Sequence, residues 1–135
     1  MSLFKLHIST PERIFFNSDV ESVVLTSTEG ELGVLSGHMP LVTALATGVI
    51  KIRAGSEWKS AVVSGGFAEI KNDEVVVLAD TAEWPEEIEV NRALEAKKRA
   101  EERIRLRENE VEYTRSVAAL QRAMTRLRIV RKLID

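Results

Sequence analysis

The stretch Ala82–Ala100, "AEWPEEIEVNRALEAKKRA", decides how this 135-residue chain is read. All seven glycines lie before it, and no proline or glycine follows Pro85. Beyond Trp84-Pro85, Ala, Glu, Arg, Lys and Leu dominate, which is the composition of helix. Pro85 with Glu86 and Glu87 is a helix start: proline fits the first turn, and carboxylates favour the positive dipole end. The pattern predicts helices from about Glu87 to Arg105 and from about Glu112 to Leu133. Between them "LRENEVEY" offers Asn109 and a polar patch but no residue that forbids helix. A hairpin turn and a continuous rod are both open.

The first half alternates instead. "LFKLHIS", "VESVVLTS", "GVIKIRA", "EWKSAVVS" and "DEVVVLAD" are β-branched runs of strand length. "TPE", "STEGELG", "AGSE", "SGG" and "KND" punctuate them as turns. Short strands at this spacing predict an antiparallel sandwich or barrel. "SGHMPLVTALATG" breaks the pattern and reads as an apolar loop, with Pro40 keeping Met39 extended. Gly65-Gly66 reads as a bulge or tight strand junction, because no helix start follows as a phosphate-binding loop requires. The fold class is therefore α+β, mainly β. Residues 1–84 form the sandwich and 85–135 the helical hairpin.

Helical spacing orders the arginines. With Arg122 at zero, Arg115 falls at about 20° and Arg126 at about 40°. Ala119, Ala123 and Val130 lie at about 60° to 100°, while Val117, Leu120, Met124 and Leu127 lie at about 140° to 220°. On the first helix Arg99 and Arg103 fall within about 20° of Arg92, beside a seam of Ala93, Ala96, Ala100 and Ile104. Alanine seams let helices approach closely. Two such helices packed together would bring their arginine stripes to one rim. Leu120, Met124 and Leu127 would then be left to pack on the sandwich. A solvated face with partners such as Glu95–Arg99 is one reading of the stripes. An anion site, with arginine forks on phosphate oxygens, is the other.

The formal net charge of −2 argues against a nucleic-acid binder. Its distribution is uneven: residues 1–85 hold 6 basic and 11 acidic residues, residues 86–135 hold 13 and 10. The halves therefore have different surfaces and different jobs. Zero cysteines exclude disulfide and thiolate chemistry. His7 and His38 lie too far apart for a metal pair. His38 in "SGHMP" reads as a loop-shaping residue. No nucleophile–base–orienter set and no Walker-type loop is visible, so no catalytic residue is assigned. The start, "MSLFKLHIST", lacks signal-peptide character, and no apolar run reaches membrane-spanning length.

"GELGVLSGHMPLVTALATGVI", "AVVSGGFAEI" and "VVVLAD", followed by an Ala/Arg-rich helical tail, resemble the ε subunit of bacterial F-type ATP synthase. The resemblance runs in order over nearly the whole chain. It implies a ten-stranded β-sandwich and a two-helix domain in the central stalk, against the γ subunit and the c-ring. It implies a non-catalytic subunit that couples proton flow to ATP synthesis. The helical domain would restrain hydrolysis when it extends along γ towards the catalytic β subunit. Location is implied as peripheral, on the cytoplasmic side of the bacterial membrane and reached only through the complex.

In some members of that family ATP holds the hairpin folded, through a motif Ile/Leu-Asp-x-x-Arg-Ala. Here "IEVNRA" supplies Ile88, Arg92 and Ala93, with Glu89 in place of aspartate, one methylene longer. Arg122 and Arg126 match the partner motif on the second helix, and Glu83 and Arg99 match supporting positions. The resemblance thus implies ATP as a regulatory ligand, no required cofactor and no metal site. It also places Glu31 and His38 near the c-ring loops. A purely structural coupling subunit, with a permanently folded tail and no nucleotide, is the alternative.

Overall fold

In "FKLHIS" every second residue is apolar, and strand β1 (Phe4–Ser9) buries Phe4, Leu6 and Ile8 while Lys5 faces solvent. The computed structural model describes the backbone of residues 2–134 and the side chains of residues 2–131. The strands that follow are β2 (Ile14–Val20), β3 (Ser22–Ser27), β4 (Gly30–Leu35), β5 (Leu41–Ala44), β6 (Gly48–Ala54), β7 (Glu57–Ser64), β8 (Phe67–Ile70), β9 (Glu74–Leu78) and β10 (Thr81–Glu83). They form two five-stranded sheets, ordered β2-β1-β9-β8-β5 and β10-β7-β6-β3-β4. Leu6, Ile8, Val20, Val23, Leu25, Ile52, Ile70, Val75 and Val77 fill the core of the sandwich.

The pairing is antiparallel with one exception among the described strands. β1 runs parallel to β9, with Leu6 opposite Val75 and Ile8 opposite Val77. The expectation of a purely antiparallel sandwich is corrected at this pair. The segments are far apart in sequence, so no hairpin dictates their direction. The apolar stretch read as a loop also contains β5, which pairs antiparallel with β8 from Leu41↔Ile70 to Ala44↔Phe67.

Gly65 and Gly66 adopt φ of 68° and 84° between β7 and β8. A Cβ on Gly66 would collide with the Leu78 carbonyl oxygen, so the junction admits only glycine. This is the tight strand junction the sequence suggests.

The chain divides into two compact units, Met1–Glu83 and Trp84–Asp135. The second opens with a single 3-10 turn, Pro85–Glu87, not with the long helix itself. The Glu87 carboxylate accepts the Trp84 backbone N–H at 2.9 Å, which ties the turn back on itself. Ile88 and Glu89 then run extended, and helix α1 spans Val90–Leu106. The expected start near Glu87 is thereby displaced by three residues.

Helix α2 spans Glu110–Ile134. It starts two residues earlier than expected because Asn109 caps it: its side-chain oxygen accepts the Glu112 N–H at 2.9 Å. The break is the three residues 107–109, so of the two open alternatives the structure adopts the hairpin. α1 and α2 pack along each other.

Candidate functional site

The helix–helix seam takes part of the row that helical spacing selects, with Ala96, Ile104, Ala119 and Val130 only half-buried. Ala93 and Ala100 on α1 are 4% and 2% exposed, and Ala123 on α2 is fully buried. Ser116 and Thr125 are buried too, and the Thr125 hydroxyl donates to the Gln121 carbonyl oxygen at 2.7 Å. Without bulky side chains between them, the backbones approach and the flanking arginines are brought to the rim. The apolar stripe of α2 is only partly covered. Leu120 and Leu127 are half-buried, and Met124 is 51% exposed.

At the rim lies an open cleft of about 410 Å³ lined by Arg103 of α1 and by Glu112, Arg115, Ser116, Ala118, Ala119 and Arg122 of α2. Arg115 reaches Glu112 at 3.5 Å, one turn away on the same helix. One carboxylate against three guanidinium groups leaves the cleft cationic. The alanines give it a floor, and the forks supply planar donors suited to phosphate or carboxylate oxygens. Among the described residues no group of His, Cys, Asp or Glu is arranged to hold a metal ion.

Of the residues singled out in the sequence, Arg122 lines this cleft. Arg126 is half-buried one turn further along α2. Arg99 instead lines a shallower surface depression with Glu95, Lys98, Glu102 and Arg103, and pairs loosely with Glu95 at 3.9 Å. Arg92 is exposed in the first turn of α1, and Ala93 beside it is buried in the seam. Ile88 is buried in the extended link before α1. Glu89 occupies the N-cap position of α1 without making a side-chain cap, and it is exposed. Glu83 ends β10, in the first unit.

Arg103 and Arg115 line the cleft and belong to the arginine stripes, yet they lie outside the positions that the family resemblance implies. Their angular positions, within about 20° of Arg92 and Arg122, already carried the signal.

In the first unit, Glu31 lies exposed on β4 opposite Thr26. The His38 ring is within hydrogen-bond distance, 2.7 Å, of the Met39 carbonyl oxygen, a loop-shaping contact. Around it Leu35, Met39 and Leu41 are exposed. A second apolar surface runs across the outer face of the first sheet. Ile14, Leu78 and Phe67 are exposed there, joined through cross-strand pairs to Ser9 and Ala44.

Comparison with known proteins gives these features a lineage. Residues 3–85 match the β-sandwich domain of the ATP synthase delta/epsilon chain, and residues 86–131 match its long α-helix domain. The chain is 50% identical over 127 residues to the ATP synthase epsilon chain of Ruminiclostridium cellulolyticum, covering 94% of this chain and 95% of the relative. It is 45% identical over 130 residues to the epsilon chain of Caldanaerobacter subterraneus, covering 96% and 94%. The fold is also that of a chain in the Euglena gracilis mitochondrial ATP synthase OSCP/F1/c-ring structure. There the TM-score is 0.85 at 23% identity, covering 96% of this chain and 82% of the other. With both of its units matched in order, the chain belongs to the delta/epsilon family of ATP synthase subunits, on its epsilon-chain branch.

Proposed function

We propose that this chain is a non-catalytic central-stalk subunit of a proton-translocating F-type ATP synthase, coupling the catalytic head to the c-ring. Its helical unit is a regulator of ATP hydrolysis. Folded as a hairpin, it leaves catalysis free; extended along γ, it presents a basic tail to the catalytic β subunit and slows hydrolysis. From Tyr113 to Asp135 the sequence carries 6 basic residues and 1 acidic residue, although the side chains after Arg131 lie outside the described set. That charge draws the tail towards an acidic surface, and salt weakens the attraction.

The observation that carries this reading is the cationic cleft that α1 and α2 share through Arg103, Arg115 and Arg122. A phosphate chain held there, as in ATP, contacts both helices at once and favours the hairpin by its differential affinity. Ile88, Glu89, Arg92, Ala93, Arg99 and Arg126 are the further positions of the nucleotide site. Two apolar surfaces support the docking role. The row Ile14, Leu78 and Phe67 suits the γ subunit, and the loop around His38, with Glu31 on β4, suits the c-ring. Attachment to the membrane is peripheral, through the complex and on its cytoplasmic side. Among the described residues no helix is long and apolar enough to cross a membrane.

One observation favours a second reading, a coupling subunit whose tail never opens and binds no nucleotide. Arg99 and Arg115 each have a carboxylate within one turn of their own helix, as on any solvated face. Hydrolysis by the reassembled enzyme, with the full chain and with a chain ending at Pro85, separates the two. Faster hydrolysis with the shortened chain supports the regulatory tail. Equal rates overturn it and leave the coupling role.

A further inference from the structure

Within the three-residue turn, Arg107 is the one non-glycine residue with positive φ among the described residues, at φ 42° and ψ 60°. Helices commonly end in this left-handed conformation, but with glycine there, because a Cβ makes it unfavourable. The hairpin is therefore bent at a strained residue, and something must hold the bend. Three side-chain contacts surround it. The Arg107 guanidinium lies 4.2 Å from the centroid of the Tyr113 ring. Arg107 also pairs with Glu110 at 3.3 Å, and Asn109 caps the Glu112 N–H at 2.9 Å.

These contacts differ in what straightening would do to them. In one continuous helix Arg107 and Glu110 stay at i,i+3 spacing, so their pairing survives. Arg107 and Tyr113, six residues apart, rotate about 240° from each other, and the ring contact is lost. Asn109 becomes a helix-interior residue, and the Glu112 amide turns to the carbonyl four residues back, so the cap is lost as well. Straightening also relieves the left-handed strain at Arg107. Two contacts thus exist only in the bend and oppose a strain that exists only in the bend.

We propose that the Tyr113 ring on Arg107 and the Asn109 cap form a latch that sets the balance between hairpin and continuous rod. The latch is coupled to the cleft. Glu112, whose amide is capped, also lines the cleft and pairs with Arg115. Arg103 and Arg122 share the cleft only while the turn is bent; along a rod they stand about 28 Å apart. Opening the latch therefore dismantles the anion site, and an anion in the site holds the latch shut. This inference rests on the proposed two-state tail.

The test uses the full-length chain, which has no cysteine. Spin labels go on Leu94→Cys and Gln121→Cys, both exposed. Their separation is about 40 Å in a rod and well under that when helices pack at about 8–10 Å. Electron–electron double resonance reads the two populations. Asn109→Ala is expected to raise the rod-to-hairpin ratio about fivefold or more, because it removes the cap and improves helix propensity in the rod. Tyr113→Leu is expected to raise it about two- to fivefold. Asn109→Asp, which can still cap, and Glu110→Gln, whose pair exists in both states, are expected to leave it within about twofold. A long-distance population that is present in the parent but unmoved by Asn109→Ala and Tyr113→Leu overturns the latch alone. Complete absence of a long-distance population in every variant overturns the latch together with the two-state tail beneath it.

Discussion

Ala123→Leu is the sharpest test of the seam. Ala123 is fully buried on the face of α2 that carries the small residues, and leucine adds three carbons at a position closed to solvent. Overpacking of this kind costs about 1–3 kcal/mol. Most of a helix's stability in a protein comes from packing rather than propensity, so the cost falls on the hairpin as a unit. A loss of that size raises the open population by about five- to 150-fold. Hydrogen exchange resolved by residue reads it directly. Amides of α1 and α2 should lose protection together, while those of β1, β6 and β9 should keep theirs. Met124→Leu, at a half-exposed position of the same helix and with similar volume, should leave exchange within about twofold. Unchanged exchange in Ala123→Leu, or equal acceleration in both variants, refutes the seam as what holds the hairpin.

Two further outcomes follow from charge and backbone geometry. Gly66→Ala should lower the stability of the sandwich by about 2 kcal/mol or more, since φ is 84° and the new Cβ meets the Leu78 carbonyl. Thermal unfolding followed by circular dichroism should show a midpoint at least about 5 °C lower; an unshifted midpoint contradicts the steric argument. Tail-dependent inhibition of hydrolysis should weaken as ionic strength rises from about 0.05 to 0.5 M, because the Debye length then falls below the spacing of surface charges. Inhibition that is independent of salt would point to apolar docking of the tail instead.

What the sequence disclosed depended on whether the signal was local. β1 and β9 are visible because alternation is imposed by a one-sided core, yet their parallel pairing is not, since nothing in either segment encodes direction. β5 escaped notice because Leu41, Val42 and Ala44 are all apolar and all exposed at the sheet edge, which erases the period-two signature. Composition changes at Pro85, and the chain divides into compact units between Glu83 and Trp84. The start of α1 was misplaced because the Glu87 carboxylate closes a separate 3-10 turn, a contact that composition does not reveal.

The candidate site followed the same rule. Rotation by about 100° per residue put Arg115 beside Arg122 and Arg103 beside Arg99 without any structure. Which of these arginines share one cleft depends on the register between two helices, and that is fixed by the seam and by the turn. The bend at Arg107 had no sequence signal of its own, because glycine is the residue that usually announces a left-handed cap. Asn109 stood there only as part of a polar patch, and its capping of α2 emerges from the structure.

Whether the cleft between α1 and α2 takes a phosphate chain decides between a ligand-governed tail and a plain scaffold. Titration calorimetry of ATP into the full chain, beside the Arg103→Ala/Arg115→Ala/Arg122→Ala variant, tests this most directly. Saturable heat is expected in the parent and an affinity at least about tenfold weaker in the variant, the scale of losing charge-assisted hydrogen bonds. No saturable heat up to the millimolar range, or equal affinity in the two proteins, contradicts the ligand-governed tail.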